Sequence, residues 1–220
     1  MQAKTVSHVL VWSRWLRLSH WALALSSIGL IATGWLMGQG TTFAETSREI
    51  HYLLSAILLP ALLFRLYLLF FGKGTDHLED CEPTVHRLEQ AWQVIRFYLT
   101  LGKLPLPKWY SHNPLWGPIY LALFFVLVLV SISGLLMLND SYLLANISML
   151  DLHRLAYSLI LGFTLLHLPA VFAHDVSSKS GDISAMINGY KAFEVGQQGG
   201  ELSPDTQAIS LDALMKQLKK

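Results

Sequence analysis

Two histidines, His153 and His167, lie fourteen residues apart in the apolar run Leu150–Asp175. On an α-helix this separation is about 21 Å at ~1.5 Å per residue, so both imidazoles leave the helix from nearly the same face. An ionisable side chain inside a segment of bilayer length is costly and is read as functional. The spacing therefore predicts two ligand positions on one helix, at two depths, and each needs a partner side chain.

The composition indicates a membrane protein. Of the 220 residues, 53% are hydrophobic and only 14% are charged, whereas a soluble domain has about 25% charged residues. The formal net charge of +1 argues against nucleic acid as a partner, because phosphate binding requires a basic patch. The single cysteine, Cys81, excludes an internal disulfide.

Four apolar runs are long enough to cross the hydrocarbon core of a bilayer, which takes about 20 residues. They cover residues 16–38, 50–71, 114–138 and 151–174, so the sequence predicts an all-α, integral membrane four-helix bundle within residues 1–175. The first run is not interpreted as a signal peptide, because no cleavage site of small residues closes it. The polar, glycine-rich residues 176–220 are expected to form a cytoplasmic tail.

An amphipathic segment and the charge distribution complete the expected organisation. Apolar residues recur at three- and four-residue spacing over Val85–Leu99. This predicts a helix that lies flat on the cytoplasmic membrane surface or packs as a connector on the ends of the spans. Lys and Arg are concentrated in the N-terminal flank, between the second and third runs, and in the tail. The positive-inside rule then places both termini in the cytoplasm.

Partners for the two histidines are present on the first two helices. His20 lies about one turn from the cytoplasmic end of the first helix, and His51 lies at the outer end of the second. His20 and His167 are expected at one depth in the membrane, and His51 and His153 at another, so we pair them in this way. Two stacked bis-histidine sites predict two haem b groups, since imidazole binds haem iron and the macrocycle fills apolar space between helices. The alternative for each histidine is a core residue bonded to a backbone carbonyl.

Gly34 and Arg65 repeat the fourteen-residue register on the first two helices. Gly34 follows His20 by this interval, which leaves room for a haem ring at the outer depth. Arg65 follows His51 by the same interval and is a charge inside an apolar run. It is therefore a candidate partner for a propionate of the inner haem. Alternatively, Arg65 extends to the membrane interface.

The sequence also carries a set of short motifs: R-x-x-H-W at Arg17–Trp21, H-Y at His51 with the later Arg65, H-N-P at His112–Pro114, H-R at His153 with a second histidine fourteen residues on, and M-I-N-G-Y-K at Met186–Lys191. Over about residues 10–193 this set resembles the b-type cytochrome subunit of membrane-bound nickel-iron hydrogenases. More distantly it resembles other bacterial di-haem cytochromes b. The resemblance implies that His51 with His153 and His20 with His167 ligate two haems, which is the pairing reached from depth.

The resemblance also implies a function. Proteins of this kind carry electrons between membrane quinone and a periplasmic redox protein or oxidoreductase subunit, in the bacterial inner (cytoplasmic) membrane. This chain is therefore expected to be an electron-transfer subunit rather than an enzyme alone. The resemblance points to His112 and Asn113, at the cytoplasmic end of the third helix, as quinone contacts. The alternative for Asn113 is a helix cap just before Pro114.

Three other functions fit part of the pattern. A stand-alone superoxide/quinone oxidoreductase would use similar haems, but it needs basic outer loops to steer an anion, and only Arg48 and Arg154 are expected there. A metal or proton transporter would use the histidines in a polar pathway, but the spans lack the carboxylates that such relays employ. A haem-free membrane anchor is the third.

Overall fold

Four long helices dominate the structure, a computed structural model that describes residues 5–40, 42–178 and 181–195. They are α1 (Arg14–Gly38), α2 (Ala44–Phe71), α4 (Trp116–Leu138) and α5 (Met149–Ser178). All four are long and apolar enough to cross a membrane. The prediction of an all-α membrane helical bundle is confirmed.

Shorter elements connect the spans. The amphipathic segment forms α3 (Val85–Leu99) between α2 and α4, and α6 (Asp182–Asn188) follows α5. Strands β1 (Thr5–Leu10) and β4 (Tyr190–Val195) form one two-stranded sheet, while β2 (Leu143–Leu144) and β3 (Ile147–Ser148) form an antiparallel hairpin between α4 and α5. Two 3-10 turns, Gly74–Asp76 and Leu78–Cys81, follow α2.

The chain divides into two units. One comprises residues 8–192 and contains all the helices that the structure describes. The other comprises residues 1–7 and 193–220, of which the structure describes strand residues 5–7 and 193–195. Most of the expected polar tail, residues 179–180 and 196–220, lies outside the described residues.

Side-chain exposure in the spans is that of a protein surrounded by lipid. Large apolar side chains point outward on each span, for example Leu25 (63% exposed), Leu53 (68%) and Leu166 (67%). Such a surface would be unfavourable in water and is stable in hydrocarbon. The first span begins at a polar cap, because the Ser13 hydroxyl accepts a hydrogen bond from the backbone N–H of Leu16 at 3.0 Å.

Neighbouring spans are antiparallel, which defines two ends of the bundle. The end of α1 meets the start of α2, and the end of α4 meets the start of α5, at what we call the hairpin end. The terminal end is where α1 begins and α5 ends. Between them lies an apolar core cluster to which every span contributes: Leu23, Leu58, Leu62, Leu127 and Ile160. Ile160 is seven residues from both His153 and His167, so the core separates the two histidine levels.

The segment after α5 is ordered against the start of α1. Arg17 donates to the backbone oxygen of Ile187, and Trp21 Nε1 donates to that of Met186 at 3.0 Å. Gly189 has a φ of 95° and closely approaches the backbone of Trp12, so a side chain there would be strained as well as crowded. Before this segment α5 continues to Ser178, and the motif at 186–191 packs on the R-x-x-H-W motif.

Candidate functional site

His51 of α2 and His153 of α5 meet at the hairpin end and form what we call the outer site. Their ring centroids are 6.3 Å apart and their planes are inclined at 57°. A metal–imidazole bond is about 2 Å long and the bonded nitrogen lies about 1 Å from its ring centre, so two imidazoles that share one metal ion have centroids about 6 Å apart. The observed separation matches this geometry, and each ring can rotate about its metal–nitrogen axis.

Hydrogen bonds at Nδ1 orient both outer histidines. Thr33 Oγ1 donates its hydrogen to a carbonyl of its own helix, so it accepts from His51 Nδ1 at 2.9 Å. His153 Nδ1 lies 3.0 Å from the carbonyl oxygen of Val130 and 3.1 Å from Ser133 Oγ. The Val130 carbonyl can only accept, and the Thr33 hydroxyl has already donated its hydrogen, so both histidines must be the donors. We therefore assign the ring hydrogen to Nδ1 in both histidines. Each Nε2 therefore keeps the lone pair that binds a metal ion.

Two glycines lie against these rings. A Cβ atom at Gly34 would be 3.7 Å from Cε1 of His51 and 3.9 Å from the ring of Tyr157. A Cβ atom at Gly134 would be 3.3 Å from Cε1 of His153. Larger side chains at either position would extend into the space beside the imidazoles. Gly34 was singled out from the sequence, whereas Gly134 was not.

A cavity of about 120 Å³ adjoins the outer site. Its walls include Leu58, Leu127 and Ile160 of the apolar core. Ser131 also lines it, and its Oγ is buried without a hydrogen-bond partner among the described residues. Apolar walls with a few convergent polar groups are typical of a cofactor pocket.

His20 of α1 and His167 of α5 form the inner site at the terminal end. His20 is close enough to His167 for electrostatic interaction, although their rings are not in contact in the described part of the chain. The His167 ring stacks on Phe163 with centroids 5.2 Å apart, and the Trp116 and Tyr120 rings meet it edge-on. Its Nδ1 is buried and has no partner among the residues that the structure describes. An unsatisfied buried nitrogen is costly, which favours a bound group here.

Arg65 of α2 lies within electrostatic range of His20. It is 5% exposed, so it does not reach solvent. Its Nη1 donates to the backbone oxygen of Asp76 at 3.1 Å, and its guanidinium lies 5.3 Å from the ring centre of Phe124. The bond to Asp76 uses one of the five N–H donors of a guanidinium. The role of Arg65 toward a propionate stays a prediction.

His112 belongs to a hydrogen-bonded group that we call the Asp80 cluster, in which Ser111 and His112 are buried and Asp80 and Arg87 are partly exposed. His112 Nδ1 is hydrogen-bonded to one carboxylate oxygen of Asp80, and the other oxygen accepts from Ser111 Oγ and from Arg87 Nη2. Burial lowers the pKa of His112, but the hydrogen bonds to Asp80 and Cys81 outweigh it, so the pKa is raised above its ordinary value. His112 therefore stays protonated, and its hydrogen bond to Asp80 stays charged, to a higher pH than an ordinary histidine would allow.

Asn113 belongs to a second group, the terminal network, with Tyr98, Trp116 and His174. Asn113 Oδ1 accepts from the backbone N–H of Leu115 at 2.9 Å, and Nδ2 lies 3.4 Å from His174 Nδ1. The Tyr98 hydroxyl lies 2.9 Å from His174 Nε2 and accepts from Trp116 Nε1 at 2.8 Å. Burial raises the pKa of Tyr98, so its hydroxyl stays protonated at neutral pH. A role of His112 or Asn113 toward a quinone stays a prediction.

The structure groups the residues singled out from the sequence into two sets. His51, His153 and Gly34 lie together at the hairpin end, and His20, His167, Arg65 and His112 lie near one another at the terminal end. Sequence reasoning missed the residues that hold these sets in place: Thr33, Asp80, Tyr98, Gly134 and His174. For His174 the signal was present, because it follows His167 by seven residues, or about two helical turns.

The similarity of the chain to known proteins places it in a family. The family model described as prokaryotic cytochrome b561 matches residues 11–189. The chain belongs to the prokaryotic cytochrome b561 family. No solved structure matches it.

Curated relatives carry hydrogenase names. The "Probable Ni/Fe-hydrogenase B-type cytochrome subunit" of Azotobacter chroococcum mcd 1 is 28% identical over 219 residues, which cover 84% of this chain and 89% of that protein. The "Probable Ni/Fe-hydrogenase 1 B-type cytochrome subunit" of Escherichia coli (strain K12) is 25% identical over 230 residues, or 90% of this chain and 97% of that protein. The corresponding subunit of Cupriavidus necator is 24% identical over 225 residues, or 87% and 90%.

Family membership implies b-type haem and membrane electron transfer. The residues of the outer site fit such a group, because two oriented imidazoles at the right separation face a largely apolar cavity. The chain is therefore a multi-pass membrane cytochrome of the b type.

The raised pKa of His112 predicts a pH-dependent contribution to stability. A group whose pKa is raised by folding stabilises the protein fully below its unfolded-state pKa and loses this contribution as the pH rises through the folded-state value. We expect His112→Gln to lower the free energy of unfolding by about 2 kcal/mol in mild acid, and by less as the pH rises. Thermal unfolding of both proteins in detergent between about pH 5 and pH 9 measures this.

The exposed His86→Gln variant is the matched control and should unfold like the wild type at each pH. A His112→Gln deficit that is constant across the pH range would contradict a charged His112–Asp80 pair.

Proposed function

We propose that this protein holds two haem b groups and relays electrons between an oxidoreductase partner and membrane quinone. His51 with His153 would hold the haem at the hairpin end, and His20 with His167 the haem at the terminal end. The observation that carries the proposal is the outer pair, whose ring centroids are 6.3 Å apart and whose Nδ1 atoms are hydrogen-bonded to Thr33 and Val130, so that we assign a free lone pair to each Nε2.

Bound haem b supplies reversible one-electron transfer at its iron. The protein's own residues would set the conditions for that transfer. Thr33 and Val130 hold the imidazoles of the outer site in one tautomer, which fixes the ligand direction. The apolar core around Ile160 excludes water between the two levels, and the low dielectric there strengthens the effect of nearby charges on each site.

A hydrogenase-type oxidoreductase is the partner class that we propose, because the curated relatives are named as hydrogenase cytochrome subunits. The partner would dock at the hairpin end, facing the periplasm of the bacterial inner membrane, with both termini in the cytoplasm. Acidic residues predominate at that end: Glu45, Glu49, Asp140 and Asp151, against Arg154 and Arg48, of which Arg48 is paired with Glu45. This charge favours a partner with a basic or mixed surface.

Quinone would react at the terminal end, beside the inner site. This end holds the buried polar groups of the Asp80 cluster and the terminal network, whereas the spans between the two ends are apolar. A quinone needs an apolar entry from the bilayer and a few hydrogen-bonding groups at its carbonyl oxygens. The terminal end offers both.

Single-ligand variants test the two-site proposal. We expect His153→Ala to lose the haem of the outer site and His167→Ala to lose that of the inner site, because each removes one axial ligand from a different level. Each variant should retain about half of the haem absorbance of the wild type. The measurement is the haem-to-protein ratio and the reduced-minus-oxidised spectrum of the purified protein.

The exposed His86→Ala variant is the control and should retain both haems. Loss of all haem from either ligand variant, in a protein with unchanged helical content, would contradict two separate sites.

Arg65 supplies a test of the charge at the inner site. Arg65→Leu should lower the midpoint potential of the inner haem by on the order of tens of millivolts, because removal of a buried positive charge favours the oxidised form. Arg65→Lys keeps the charge and should shift the potential less. A redox titration that resolves the two haems measures both effects.

The outer haem should be unaffected by either change, and the exposed Arg154→Leu at the hairpin end is the control for the inner haem. An inner potential that is the same in Arg65→Leu and the wild type would exclude the proposed contact with a propionate.

A further inference from the structure

The Tyr98 hydroxyl of the terminal network holds a hydrogen for which the described residues supply no acceptor, as the tautomer of His174 shows. Asn113 Oδ1 accepts from the backbone N–H of Leu115 at 2.9 Å, which fixes the orientation of the amide. The Asn113 amide nitrogen therefore faces His174 Nδ1 at 3.4 Å. Two N–H groups cannot point at each other, so Nδ1 is the acceptor and the His174 hydrogen lies on Nε2.

This tautomer makes the Tyr98 oxygen a double acceptor. His174 Nε2 donates to it at 2.9 Å, and Trp116 Nε1, which can only donate, does so at 2.8 Å. A phenol oxygen accepts two hydrogen bonds with its lone pairs and donates one with its own hydrogen. Neither contact uses that hydrogen. Protonation of His174 at both nitrogens would leave this result unchanged, since Nε2 donates in either case.

The position of Tyr98 relates this donor to the inner site. The Trp116 ring, whose Nε1 contacts Tyr98, also lies edge-on to the ring of His167 with centroids 5.7 Å apart. Tyr98 lies on α3 and is half-buried, so part of this side chain faces away from the core. The donor therefore lies one aromatic ring away from an expected haem ligand.

We infer that the Tyr98 hydroxyl donates a hydrogen bond to a carbonyl oxygen of quinone at the terminal end, with His174 and Trp116 as positioning residues. This inference rests on the proposed function. A neutral phenol donor suits a neutral carbonyl acceptor. The surroundings of the donor are aromatic, because the rings of Phe97, Tyr98 and Trp109 lie against His174, and aromatic surroundings suit a quinone ring.

An anionic headgroup is a poorer match for the same donor. Lys191, a cation that lies over the Trp109 ring, is buried and bonded to Asp182 at 2.9 Å. An anion at Tyr98 would therefore meet a cation that is already neutralised by a carboxylate. By comparison, His112 Nδ1 is hydrogen-bonded to Asp80, and the Asn113 amide contacts Leu115 and His174.

Quinol kinetics with Tyr98→Phe test the inference. The full-length haem-loaded protein in detergent is reduced with decylubiquinol, and the initial rate of haem reduction is followed at several quinol concentrations. We expect Tyr98→Phe to raise the apparent KM about three- to tenfold, since one neutral hydrogen bond is lost. The haem spectrum after reduction with dithionite should match that of the wild type, because the ring and its packing are kept.

Tyr67→Phe is the matched control, since Tyr67 lies on the lipid-facing side of α2 and is 56% exposed. It should leave the KM unchanged. His174→Phe removes the bond that orients Tyr98 and should also raise the KM, and the double variant should be no worse than Tyr98→Phe alone, as expected for a residue that acts through another.

The outcomes separate the inference from the proposed function. If decylubiquinol does not reduce the wild-type haems, the quinone function and the inference both fail. If it does, and Tyr98→Phe keeps the wild-type KM, only the inference fails. Additive effects of Tyr98→Phe and His174→Phe would likewise overturn the positioning role of His174.

Discussion

The fourteen-residue spacing of His153 and His167 on α5 is the constraint on which the other features of the bundle depend. It places two histidines at two depths on one helix, and an apolar layer around Ile160 fills the space between them. The antiparallel packing of α1 and α2 against this helix then determines where partners can lie. His51, in the first half of α2, lies at the depth of His153 at the hairpin end. His20, near the start of α1, lies at the depth of His167 at the terminal end.

The two ends of the bundle differ in how their buried polar side chains are held. At the hairpin end, a hydroxyl on α1 and a carbonyl on α4 hold the two imidazoles, so each ring is oriented by a helix other than its own. At the terminal end, buried polar side chains need partners in a setting of low dielectric, and α3, α6 and the segment after α2 supply them. The Asp80 cluster and the terminal network are the result. This end is therefore where polar chemistry can take place.

The sequence predicted the spans, the amphipathic helix and the grouping of four histidines at two depths, because hydrophobic periodicity and register are properties of local sequence. It could not predict that Thr33 accepts from His51 or that Gly134 lies against His153, since these contacts depend on how α1 and α4 rotate about their own axes. Asp80 and Tyr98 were missed for a related reason. They reach the terminal end through a non-spanning segment whose path is set by long-range contacts. The order of residues 182–192 likewise depends on pairing with α1, which composition alone does not show.

Electron passage between the two levels is the central claim, and the rate at which quinol reduces the outer haem tests it most directly. In the wild type, decylubiquinol should reduce both haems. In His167→Ala, which keeps only the outer haem, reduction by quinol should fall by at least about a hundredfold while dithionite still reduces that haem fully, because the inner site no longer links it to the quinone. Reduction of the outer haem by quinol at the wild-type rate in this variant would contradict the relay.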